Sequence, residues 1–150
     1  MVDAHEALLG HYRQSRADLL AAIAGLTEQQ LTEASVDGWS VKDNLAHLAF
    51  WDDLRADEVT RISAGHASAL RMSESDDRAL NALAYRFRQD LSLQQMRWEL
   101  QHSRQRLEDA IAAAGPQALD ATRYGEAGLQ SGHEDEHARY IAAWRARMGY

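Results

Sequence analysis

Residues 133–137 read His-Glu-Asp-Glu-His, a match to the H-E-x-x-H pattern in which two helical histidines bind zinc and the glutamate acts as general base. Positions i and i+4 of a helix lie about 40° apart around its axis, so both imidazoles can address one ion. Two such ligands do not make a protease. That chemistry needs a third ligand downstream, a histidine or a carboxylate. The tail after His137, ARYIAAWRARMGY, has no His, Asp, Glu or Cys. The protease reading fails there, and any third ligand must come from elsewhere in the chain.

His47 is the best candidate. It lies on a helical stripe with Asn44, Trp51, Leu54 and Ile62, which should face the interior of a helix bundle. Three imidazoles from two helices leave coordination positions open for water or substrate, as in a catalytic rather than a structural metal site. The same residues admit a plainer reading, with His47 a core histidine satisfied by one hydrogen bond and His133 and His137 half-exposed at a helix start. His5, His11, His66 and His102 read as surface or helix-end residues. Glu134 and Glu136 flank the histidine pair and Asp43 precedes His47 by one turn. Each can orient an imidazole or carry a proton, although a solvated helix surface is the plainer place for them. Asn44 is the preferred polar neighbour of the site. Trp51, one turn beyond His47, is the candidate pocket residue, while Trp39, Trp98 and Trp144 fit a packed core. Arg139, Arg145 and Arg147 suit the negative end of a last helix.

The elements that must position these residues are helices. The first runs from Asp3 to Gly25, with Leu8, Tyr12, Leu19, Ile23 and Leu26 on one face, followed by a polar LTEQQLTEAS segment with room for one short turn. After an Asp37-Gly38 turn, Ser40 and Asp43 form an S-x-x-D capping box that opens a second helix reaching Gly65. A third helical region begins near Ser75 or Asp76, with a break at Asp90-Leu91-Ser92 where Ser92 recaps the chain, and ends at Gly115-Pro116. His133, His137, Ile141, Trp144 and Met148 mark the fourth. Four helices with no strand pattern predict an all-α, up-down-up-down four-helix bundle. In that arrangement the second and fourth helices run parallel, and histidines placed early in each meet near one end.

Composition narrows the function classes. A chain of 150 residues suits a single domain spanning residues 1–150. Its net charge of −7, with no Lys/Arg block, argues against nucleic acid and anionic membranes as partners. With no cysteine, any thiol chemistry needs a thiol from outside. No basic leader precedes an apolar run and no stretch is long enough to span a bilayer, so the expected location is the cytoplasm.

Three segments carry a family resemblance: GWSVKDNLAHLAFWDD from Gly38 to Asp53, LNALAYRFRQDLSLQQMRWELQHSRQRLEDAI from Leu80 to Ile111, and GHEDEHARYIAAWR from Gly132 to Arg145. In order and separation they resemble the DinB/YfiT-like superfamily, including its ClbS/DfsB relatives. The resemblance implies a bundle, often homodimeric, in which a second-helix histidine and an H-x3-H pair on the last helix bind nickel or zinc. Those positions correspond to His47, His133 and His137. It also implies a small-molecule metalloenzyme of thiol S-transferase or hydrolase type, activating a low-molecular-weight thiol or water against an electrophilic substrate. Two other readings stay open: a metal-free protein that sequesters a small molecule, in the manner of ClbS/DfsB relatives, and a structural dimerisation module.

Overall fold

The computed structural model describes residues 3–35 and 38–150 and is all-helical among them; Asp37 of the expected Asp-Gly turn lies outside. Helix α1 spans Ala4–Ile23, α2 Glu28–Thr32, α3 Val41–Ser63, α4 Glu74–Arg88, α5 Leu93–Ala112 and α6 His133–Met148, with short 3-10 turns at Pro116–Leu119 and Ala121–Arg123. The helix starts follow the sequence chemistry. Ser40 accepts from the Asp43 amide while the Asp43 carboxylate accepts from the Ser40 amide, so the expected box opens α3. The short turn after α1 is the five-residue α2, capped in the same reciprocal way by Thr27 and Gln30. Ser73 rather than Ser75 or Asp76 caps α4, with Asp76 as its box partner, and Ser92 recaps the chain at α5.

The break before Ser92 sets the topology. Lys42 of α3 reaches the Gln89 carbonyl and Trp51 reaches Asn81, so α4 runs back along α3. Helix α5 then reverses again. Asp52 pairs with Arg104, Asp57 with Arg106, and Ser63 with Gly115, an ascending series that makes α3 and α5 parallel. Against α1 the order inverts: His5 meets the Ala114 carbonyl, Tyr12 meets Arg104, and Arg16 meets the Leu100 carbonyl. Helix α6 is antiparallel to α3, with Asn44 opposite His137 and His47 opposite His133. The four long helices α1, α3, α5 and α6 therefore run up, down, down, up. This corrects the expected up-down-up-down order, because α4 supplies a return limb that four helices alone would lack.

The core is divided. One apolar cluster gathers Leu8, Leu9, Tyr12, Val59, Ile62, Leu107 and Ile111, and another gathers Leu19, Val41, Leu45, Leu48, Met96, Ile141 and Trp144. Between these sets along α1, α3 and α5 lie Arg16, Asp52, Arg55 and Arg104, which pair with one another and with Glu134 of α6. Buried charges are tolerated only when paired and hydrogen-bonded, and each carboxylate here faces at least two guanidinium groups.

The irregular segment before α6 is tied to α3. Arg55 donates to the Ala127 and Gly128 carbonyls at 2.7 and 3.2 Å and to Ser131 Oγ at 3.0 Å. Fully buried Glu58 accepts from the Ala69 amide at 3.0 Å and from the Ser68 hydroxyl, and Ser68 Oγ in turn accepts from the Gly125 amide. A side chain at position 125 would put its Cβ 2.1 Å from the Leu70 carbonyl oxygen, which is why glycine stands there. These ties fix where α6 begins, and α6 begins with His133.

Candidate metal centre

His47 comes from the second turn of α3, and His133 and His137 from the first two turns of α6. The structure brings all three together. His47 Nε2 lies 2.8 Å from His133 Nε2, and His133 Nε2 lies 3.2 Å from His137 Nε2. One ring nitrogen of each lies within 4.8 Å of the others. The expected meeting occurs for a different reason from the one expected: the helices cross antiparallel, so their N-terminal turns overlap side by side.

Two tautomers can be read from the neighbours. Asn44 Nδ2 donates to the Ser40 carbonyl at 2.9 Å, which orients the amide so that Oδ1 faces His137 Nδ1 at 2.7 Å. An amide oxygen only accepts, so His137 carries its proton on Nδ1 and presents a bare Nε2 to the cluster. On His133, Nδ1 lies 3.5 Å from the Arg55 guanidinium, which only donates. Its proton therefore sits on Nε2, shared toward the other two rings. His47 then keeps its proton on Nδ1, a buried atom with no hydrogen-bond partner in the protein.

Burial holds the imidazoles neutral. It pushes His47 down to about 3, aided by His137 and Arg55, and His133 down to about 2, aided by Arg55 and the other two rings. His137 is lowered as well, chiefly by burial, with Glu136 opposing. Three neutral imidazoles with converging nitrogens form a donor set suited to zinc or nickel. Tetrahedral coordination at ordinary zinc–nitrogen distances separates ligand nitrogens by about 3.3 Å, close to the spacings found here. The residues fit a divalent ion, provided His133 moves its proton to Nδ1.

The remaining candidates fall into different places. Asn44 is a direct partner, though of His137 rather than His47. Glu134 is not a solvated surface charge: it is buried and paired with Arg16 and Arg104, each at 3.0 Å, and so is committed to the ionic layer. Glu136 is exposed and bonded to the Tyr140 hydroxyl. Trp51 borders His47 and His133 at about 6 Å between ring centres, but it is buried and donates its indole N–H to Asn81. Trp144 is core, whereas Trp98 is 58% exposed and stacks on His102. Trp39, packed edge-on against His47 and stacked on Tyr85, completes the wall that α4 makes over the site. Arg55 and Asp52 were missed. The signal was present, since Asp52 and Arg55 interrupt, at helical spacing, the apolar stripe of Leu48, Val59 and Ile62 beside His47.

This arrangement defines an all-helical bundle with a three-histidine cluster between its α3 and α6 helices. The match of residues 11–146 to the DinB superfamily gives it a family, and the chain belongs to that superfamily. A solved structure of an uncharacterised protein from Escherichia coli UTI89 superposes with a TM-score of 0.75 over 97% of this chain and 94% of that one, at 16% identity, a likeness of fold. No curated protein matches the chain.

Proposed function

We propose that the protein binds one divalent ion, nickel or zinc, through His47, His133 and His137, and works on a small electrophilic substrate as a thiol S-transferase or hydrolase. The observation that carries this reading is the convergence of three buried, neutral imidazoles, one of them held in the ligand tautomer by Asn44. An ion bound there would supply Lewis acidity, lowering the pKa of water or an incoming thiol toward neutrality. The chain does the rest. Asn44 orients His137, burial and Arg55 keep His47 and His133 from taking up a second proton, and the Trp39, Trp51 and Tyr85 rings around His47 limit access by water. A thiol cosubstrate has to be a separate molecule, because the chain has no cysteine. The reading includes a single cytoplasmic domain and a homodimer; exposed Leu83 and Phe87 on α4 support a covering partner. No helix among the described residues is long and apolar enough to cross a membrane.

Elemental analysis of the untagged protein, followed by titration of zinc and nickel into the apo protein and into His47→Ala, tests the site. Near-stoichiometric metal, lost in His47→Ala about as completely as in His137→Ala, is the expected result. Unchanged affinity in His47→Ala would sink the three-histidine reading.

One observation favours a second reading, sequestration without metal. A groove of about 480 Å³ between α1 and α5 is floored by Leu20, Ile23, Leu45 and Leu100. Binding of an apolar small molecule that survives both chelator and His47→Ala would favour it.

A further inference from the structure

His47 Nδ1 is the one ring nitrogen of the cluster without a protein partner, and it is buried. A buried donor left unsatisfied costs free energy, so native structures give such atoms a partner or a water. The place for that water is present. Between α3 and α4, largely closed by Trp39 and Tyr85, lies a small cavity whose lining includes His47, Asp43, Asn81 and Gln89. It leaves about 10 Å³ for a water's centre, room for one molecule, with polar side chains on several sides. Asp43 lies one turn before His47 on the same helix. One of its oxygens, Oδ2, accepts from the Ser40 amide, and the other is not needed for the cap.

We propose that Asp43 is a positioning residue for His47, acting through a single buried water that accepts from His47 Nδ1–H and donates to the carboxylate. This rests on the three-imidazole reading of the site and adds to it the device that sets the His47 tautomer. It mirrors what Asn44 does for His137, with a water in place of direct contact. Metal-bound histidines commonly hold their second N–H in this way, and loss of such a partner weakens metal binding about 10–100-fold. Asp43 thus has two separable duties, one oxygen for the helix start and one for the histidine.

Long-range 1H–15N NMR of the metal-free protein at neutral pH tests this without reference to activity. Expected are a His47 ring protonated at Nδ1 and a magnetisation-transfer contact from that proton to a long-lived water. A His47 ring protonated at Nε2, or no such water, overturns the proposal in the unaltered protein. The variant that separates the duties is Asp43→Asn. Its amide oxygen can still accept from Ser40, while its NH2 presents a donor to the cavity in place of an acceptor. It should keep the thermal stability of the parent, lose the single His47 tautomer, and bind zinc about 10–100-fold more weakly. Ser40→Ala, which damages the cap and leaves the carboxylate, should do the reverse. An unchanged tautomer and affinity in Asp43→Asn refutes the role. A parent protein that binds no metal, yet shows the Nδ1 tautomer and loses it in Asp43→Asn, refutes the proposed function and leaves the positioning intact.

Discussion

Replacing Glu134 by alanine should unfold the protein at a much lower temperature. Glu134 sits in the metalloprotease-like motif and so invites a catalytic assignment, but its carboxylate binds Arg16 and Arg104 in a layer whose side chains are between 2% and 13% exposed. That layer holds three guanidinium groups, on Arg16, Arg55 and Arg104, and two carboxylates, on Asp52 and Glu134, a formal charge of +3 − 2 = +1. Glu134→Ala raises it to +2 and leaves Arg16 and Arg104 one carboxylate short. Breaking a buried pair by removing one partner costs about 3–5 kcal/mol. With an unfolding entropy of about 2.1 cal/mol/K per residue, or ~0.3 kcal/mol/K for this chain, that lowers Tm by about 10–16 °C. Differential scanning calorimetry of the apo protein measures it directly. Glu136→Ala is the control, since Glu136 is exposed, and should stay within about 0.5 kcal/mol of the parent. A Glu134→Ala protein that melts within ~3 °C of the parent, a loss of only about 1 kcal/mol, would refute the ionic-layer argument.

Two further outcomes follow from the imidazole cluster. Asn44→Leu strips His137 Nδ1–H of its acceptor and should weaken zinc binding about 10–100-fold, whereas Asn44→Asp, which keeps an oxygen there, should preserve most of it; calorimetric titration distinguishes these from equal loss, which would mean that Asn44 only packs. Acid should destabilise the apo protein. Unfolded histidines protonate near 6.5, while His47 and His133 in the fold stay neutral down to about 3 and 2. Between those values the unfolded chain holds more protons, so stability rises with pH across that window and falls as pH drops below about 6.5, by about 1.4 kcal/mol per unit for each such residue at full effect. Urea melts at pH 7.5 and 5 should show a smaller acid loss in His133→Ala than in the parent, and an equal loss would contradict burial of neutral imidazoles.

The local chemistry of the helices was largely legible in the sequence. Ser40 with Asp43 and the lone Ser92 named their own helix starts, because capping depends on residues three apart and on nothing else in the fold. The direction of α5 was not legible. A polar interruption at Asp90-Leu91-Ser92 can be a kink or a reversal, and only tertiary contacts separate them: Asp52 with Arg104 and Ser63 with Gly115 on one side, Lys42 with the Gln89 carbonyl on the other. Spacing found the three histidines even under the wrong topology, since an inward stripe faces the bundle axis whichever way the helix runs.

The ionic layer shows why the roles of the acidic residues were harder to read than the meeting of the histidines. Hydrophobic periodicity treats a charge as a vote for solvent, and Glu134 beside two further acidic residues reads as a polar helix face. Yet its partners lie on two other helices, Arg16 on α1 and Arg104 on α5, and both of these also pair with Asp52 on α3. No window of sequence contains that set. The same layer sits beside the histidines, with Arg55 reaching His133 and lowering its affinity for protons. A surplus of buried positive charge next to the neutral imidazoles deters protons, but a divalent ion bound there would meet the same field. The fourfold ties of Arg55, to Ala127, Gly128, Ser131 and Asp52, therefore matter as much as its charge, because they hold the guanidinium on the loop side of His133 and away from the converging Nε2 atoms. The side chain that suppresses protonation of His133 is thus also the one that anchors the segment leading into α6, so placement of the imidazole and control of its protonation come from one residue.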